Sequence, residues 1–127
     1  MITQLIQEPD VIKELEPSIW EIYQYSECPF IFRVNEKTLV YGEAEIGHGE
    51  VYIKMMESIE HKKGYGRLFI EYLKSMPTIH EIWGESVENA VPFWFKMGAK
   101  LNPMLFERFL NEEELEEDFL LPFSIKC

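Results

Sequence analysis

Residues 50–76 read EVYIKMMESIEHKKGYGRLFIEYLKSM. The first part alternates: Val51, Ile53 and Met55 face one side, and Tyr52, Lys54 and Met56 the other. That period of two predicts a strand over 50–59. The last part changes period. Leu68, Phe69, Tyr72, Leu73 and Met76 fall on one face of a helix over 66–76, which Pro77 stops. Between them lies His61-Lys62-Lys63-Gly64-Tyr65-Gly66. A glycine-bearing loop entering a helix offers unpaired backbone N–H groups and the positive end of the helix dipole. Gly64 and Gly66 permit a tight turn and close approach of a ligand to the backbone. Lys62, Lys63 and Arg67 add charge. These are the requirements of a pyrophosphate site. The segment is not a P-loop, because no Gly-Lys-Ser/Thr follows, and Phe69 stands where a Rossmann fingerprint needs its third glycine.

Working outward, the upstream chain predicts a helix near Pro17–Tyr25, with a short one before it. Cys28-Pro29 ends that pattern. Strands follow over 30–34 and 38–46, with turns at Asn35-Glu36-Lys37 and Gly47-His48-Gly49, so three antiparallel strands form a meander. Downstream, residues 79–87 follow a helix and read as a strand parallel to the one before it, a βαβ unit. Residues 89–97 (NAVPFWFKM) form a helix with Pro92 in its first turn and Gly98 at its end. Residues 104–110 and 119–125 are strand candidates. The acidic run between them reads as a short helix capped by Asn111.

The chain has 127 residues, of which 46% are hydrophobic and 14% aromatic, enough for one packed domain spanning 1–127 and too rich for a disordered chain. Net charge is −11, from 12 basic and 23 acidic residues, which argues against nucleic acid as a partner and fits a cationic one. Cys28 and Cys127 lack Cys or His neighbours at zinc spacing, so no metal is expected. No apolar run reaches 18 residues and the first residues lack a secretory pattern, so a cytoplasmic protein without membrane attachment is expected.

The 61–66 segment resembles motif A of the GNAT superfamily, Arg/Gln-x-x-Gly-x-Gly/Ala between a strand and a helix. Residues 88–101 (ENAVPFWFKMGAKL) resemble the family's motif B, through Asn89, Phe93, Trp94, Gly98 and Ala99. The two stand in the family's order with one strand between them. The resemblance implies a mixed α/β (α+β) fold, with a mostly antiparallel sheet of about six to seven strands flanked by helices. It implies an N-acetyltransferase that moves an acetyl group from acetyl-CoA to a small-molecule or peptide amine, as monomer or homodimer. Backbone N–H groups of His61, Lys62, Lys63, Gly64, Tyr65 and Gly66 would hold the CoA pyrophosphate. The backbone near Met56 would bond the acetyl carbonyl, and Asn89 and Trp94 would lie against CoA. His61 replaces the family's usual Arg or Gln, and Trp94 the tyrosine that protonates the leaving thiolate in many members. The reaction needs a carboxylate near the amine. Glu57 and Glu85 are the candidates, with Glu43 and Glu45 next. The alternative is a catalytically inactive module of this fold that binds CoA or a basic protein.

Overall fold

Prolines and short turns divide this chain into brief elements. A computed structural model describes residues 2–111 and 119–127, and shows seven strands in a mostly antiparallel sheet with five helices. In chain order these are β1 (Thr3–Ile6), α1 (Pro9–Leu15), α2 (Pro17–Tyr23), β2 (Pro29–Val34), β3 (Lys37–Gly47), β4 (Glu50–Ser58), α3 (Tyr65–Ser75), β5 (Glu81–Val87), α4 (Val91–Lys96), β6 (Lys100–Leu101), α5 (Pro103–Leu110) and β7 (Leu120–Lys126). Proline occupies the start of α1, α2, α4 and α5, where its missing N–H costs nothing. The chain divides into two compact units, Met1–Glu45 with Ile53–Met76, and Ile46–Tyr52 with Pro77–Cys127.

In the first unit the strands run in the order β1-β2-β3-β4. β2 is apolar on both faces because it is covered on both. Phe30 and Phe32 turn to α3, with ring centroids 4.9 and 5.2 Å from Phe69. Ile31 turns the other way, against Ile12, Ile19 and Tyr23 of α1 and α2. The buried face of α3 is Phe69, Ile70 and Leu73, while Leu68, expected inside, is exposed. The turn between β2 and β3 is two residues, Asn35 and Glu36, both at positive φ, the geometry that matches strand twist. β1, not expected from the sequence, pairs Thr3 with Val34 through to Ile6 with Ile31. Asn35 clamps its start, accepting from Ile2 N at its side chain (2.9 Å) and donating its own N–H to Ile2 O (2.8 Å). β1 forms the outer edge of this unit.

In the second unit the order is β5-β7-β6, with the two-residue β6 outermost. Register places Ile82, Gly84 and Ser86 opposite Ile125, Phe123 and Leu121, so one face is buried. Trp94 of α4 stacks on Phe123 at 3.8 Å. Glu81, Trp83, Glu85 and Val87 lie on the other face.

One expected strand is corrected. Residues 104–110 are helix α5. Asn102 caps it, its side-chain oxygen accepting from Leu105 N at 3.1 Å, and Pro103 is its first residue. Leu105, Phe106 and Phe109 then lie together against the cluster of Val91, Phe119 and Leu121. The apolar content of MLFERFL suggests a strand, but Asn-Pro before it is a helix start, and the packing stripe is helical. The helix expected over 112–118 lies outside the described residues.

Candidate functional site

The loop 59–64 belongs to the first unit. Ile59 N donates to Leu39 O at 2.9 Å, fixing the chain as it leaves β4. Lys62 then sits at φ 61° and Gly64 at φ 74°, two left-handed residues that curl the backbone before α3. Gly64 is the N-cap of α3 and no side chain caps that helix. The N–H groups of its first turn, Tyr65, Gly66 and Arg67, therefore have no acceptor within the helix. Left-handed turns with consecutive N–H groups make concave anion sites, and the helix dipole adds to this. Lys62 occupies a left-handed conformation at a cost of about 1–2 kcal/mol, the kind of strain found at ligand sites.

The charges around the loop are not all equal. His61, Lys62 and Lys63 are exposed. Arg67 pairs with Glu71 at 2.8 Å, and that hydrogen bond raises the guanidinium pKa and draws the side chain along the helix. A further cation arrives from β3: Lys37 Nζ lies 5.7 Å from the Tyr65 ring centroid, 3.4 Å from its hydroxyl and 3.9 Å from Glu60. Lys37 lies 28 residues before Tyr65 in sequence, and no local pattern pointed to it.

On β4, Met56 is half-buried and Glu57 exposed. The strand is held close to β3 by Gly42. A Cβ there would lie 2.1 Å from the Met55 carbonyl oxygen, so only glycine permits this approach next to Met56. Sequence reading did not single out Gly42. Glu57 belongs to a polar cluster with Tyr23, Tyr41 and Glu43. Burial raises the Tyr23 pKa above its ordinary 10.0, and Tyr41, Glu43 and Glu57 raise it further. Glu43 accepts a hydrogen bond from the Ser26 hydroxyl at 2.7 Å. Glu45 instead pairs with Lys54 at 2.9 Å, and that hydrogen bond raises the Lys54 pKa.

The remaining expected site residues lie in the second unit. Glu85 is exposed on β5, opposite Pro122. Asn89 is exposed in the 3-10 turn Glu88–Ala90 that leads into α4. Trp94 is 4% exposed, its face covered by Phe123 and its edge by Phe93 at 4.9 Å. A ring so enclosed contributes packing, and an indole N–H is too weak an acid to protonate a thiolate.

The loop brings together first-turn N–H groups with no acceptor in the helix, a left-handed glycine and exposed lysines, a donor set of the kind that suits a pyrophosphate. Comparison with known proteins agrees at the level of fold. An acetyltransferase of Bacillus subtilis, solved in complex with CoA, is 17% identical, with 98% of this chain and 97% of that one covered and a TM-score of 0.55. An acetyltransferase of Thermus thermophilus is 11% identical, with coverage of 100% and 98% and a TM-score of 0.59. A GNAT family acetyltransferase of Elizabethkingia anophelis, solved with acetyl-CoA bound, is 13% identical, with coverage of 98% of both and a TM-score of 0.54. No family model and no curated protein matches the chain. With its seven-stranded, mostly antiparallel sheet and five helices, the chain has the fold of the GNAT acetyltransferases.

Proposed function

We propose that the protein is an N-acetyltransferase that uses acetyl-CoA as donor and an amine as acceptor. The observation that carries this is the uncapped, left-handed entry into α3, ringed by lysines, on a fold shared with acetyltransferases solved with CoA. Backbone N–H groups from His61 to Gly66 bind the pyrophosphate. The β4 backbone at Met56 holds the acetyl carbonyl. Asn89 and the outer side of α4 meet CoA, with Trp94 supporting α4 from within.

Acetyl-CoA supplies the thioester. The neutral amine nitrogen attacks its carbonyl carbon, the C–N bond forms, the C–S bond breaks, and the thiolate leaves and takes a proton from solvent, to which the base returns the one it received from the nitrogen. Glu57 receives the proton lost from the nitrogen, its position beside Tyr23 and Glu43 supporting that role, and Glu85 is the second candidate. Much of the rate comes from placement of the two reactants.

Thermal unfolding with acetyl-CoA, desulfo-CoA and ATP tests this. A ligand at about a hundred times its dissociation constant adds roughly 2.7 kcal/mol, several degrees in a domain of this size. A rise with both CoA compounds and none with ATP is expected. No rise overturns the reading. Trp94 in place of an acid tyrosine favours a second reading, a CoA-binding module without transfer. CoA binding with no thiol release across an amine panel would select it.

A further inference from the structure

In the first unit, Tyr23 of α2 brings a phenol to a group of acids. Its ring lies in the core with Ile12, Ile19 and Ile31, and the residue is only 8% exposed. A buried hydroxyl ordinarily finds a hydrogen-bond partner. Among the described residues the Tyr23 hydroxyl has none. What it has is nearby charge: Glu43 and Glu57 both act on it, with Tyr41 alongside, the two rings 6.1 Å and 62° apart. Register explains the gathering. Pro29 pairs with Glu43 and Ile31 with Tyr41, so Tyr41 and Glu43 share with Ile31 the sheet face that α1 and α2 cover. Gly42, between them, lies against Met55 and Met56 of β4, which brings the next residue, Glu57, to the same place.

Tyr41 and Glu43 are half-buried and Glu57 is exposed, so the group opens to solvent above a buried phenol. One carboxylate oxygen of Glu43 accepts from the Ser26 hydroxyl at 2.7 Å. Ser26 is itself held, its oxygen accepting from Cys28 N at 3.1 Å. Glu43 is therefore fixed in place, with its other oxygen left for a donor. Lys54 also acts with Glu43, but Glu45 binds it at 2.9 Å. Within this group three carboxylates, Glu43, Glu45 and Glu57, face one ammonium. An anionic ligand would meet the surplus unfavourably. A monoamine would use Glu57 and leave Glu43 and the phenol as they are. A molecule with two ammonium groups engages both carboxylates and gives the Tyr23 oxygen a donor.

We infer that the acceptor is a short diamine, and that Glu43 and the Tyr23 hydroxyl hold the ammonium that does not react. The nitrogen that takes the acetyl group lies at Glu57. Neighbouring strands are about 5 Å apart, so only a few bonds separate the two nitrogens. Glu43 and Tyr23 select the substrate and take no part in the bond being made. This deepens the proposed function and rests on it for the transfer step, whereas diamine binding itself stands apart.

The experiment titrates the full chain with 1,4-diaminobutane, butylamine and 4-aminobutanoate in the absence of acetyl-CoA, following the ring NMR signals of Tyr23 and Tyr41. The diamine should move both signals and bind about ten-fold tighter than butylamine, and that preference should shrink at high ionic strength. The amino acid, with a carboxylate in place of the second ammonium, should bind more weakly than butylamine. Glu43→Gln should cut the diamine preference to about two-fold, and Tyr23→Phe, which keeps the ring in its packing, to about three-fold. Glu21→Gln removes one charge from the exposed side of α2 and should preserve the preference. The inference is overturned if the diamine binds no tighter than butylamine, if neither ring signal moves at millimolar diamine, or if Glu21→Gln lowers the preference as much as Glu43→Gln does. A parallel acetyl-CoA titration keeps the two claims apart. Diamine binding without acetyl-CoA binding upholds the diamine site and removes its acceptor role. Acetyl-CoA binding with thiol release and no diamine preference upholds the transfer reading and overturns this inference.

Discussion

Two turns in this protein make the same connection, from a strand into a helix, and have opposite chemistry. The turn before α3 carries Lys62 and Lys63, left-handed Gly64 and a first helical turn with all its N–H groups. The turn before α4 carries Glu88, and Pro92 in the first helical turn removes an N–H. Each helix is anchored in the same manner, by one buried aromatic stacked on an aromatic of a strand: Phe69 on Phe30, and Trp94 on Phe123. The scaffolding is alike, and a few residues at the mouth set its charge. One mouth carries exposed lysines, the other a carboxylate and apolar surface.

The largest expected effect removes an anchor. Phe69→Ala should cost about 4 kcal/mol, read as a lower urea midpoint at an unchanged slope. Trp94→Ala should cost a similar amount, and a loss under a quarter of that in either would show that the two helices are not anchored alike. Next is the turn itself. Gly64→Pro cannot adopt φ 74° and should cost about 2–3 kcal/mol, because the cap must rebuild, with acetyl-CoA binding lost. Gly64→Ala should cost only about 1 kcal/mol of strain, since a Cβ there meets nothing within 4 Å. Unchanged acetyl-CoA affinity in the proline variant would erase the contrast between the turns.

Reversing charge gives the loop the polarity of its counterpart. Lys62→Glu with Lys63→Glu should weaken acetyl-CoA about ten-fold at low salt, and the difference should shrink at high ionic strength. The smallest effect concerns Tyr23, whose raised pKa means the folded protein holds that proton more tightly than the unfolded chain. That stability is complete below the ordinary value of 10.0 and is lost as pH rises through the folded pKa. Tyr23→Phe should flatten the alkaline decline in stability, and an unaltered decline would place its origin elsewhere.

The glycine–lysine turn before α3 was legible because its sequence signal is local. Two glycines, two lysines and a change of period from two to 3.6 fall within one stretch, and Gly64 takes the backbone such a turn needs. β2 through β4, α3, β5 and α4 were legible for the same reason of period. β1 was not, since TQLI becomes a strand only by pairing with β2 about thirty residues on. α5 was misread because apolar content outweighed the Asn102-Pro103 start signal. Lys37 and Gly42 became visible only when β3 was placed beside α3 and β4. The packing of Leu105, Phe106 and Phe109 against Val91, Phe119 and Leu121 was unreadable, because it joins α4, α5 and β7 and no window of sequence contains them.

The sheet borders have a consequence for behaviour in crowded solution. β1 has four residues and β6 two, so the unpaired ladders at these borders are about 13 and 7 Å long. A border that short offers an incoming strand too few backbone partners to offset its lost freedom. Brevity here does what lysines or bulges do elsewhere: it denies open-ended fibre growth a template. Extending β6 by several β-branched residues would therefore lengthen the template and favour polymerisation.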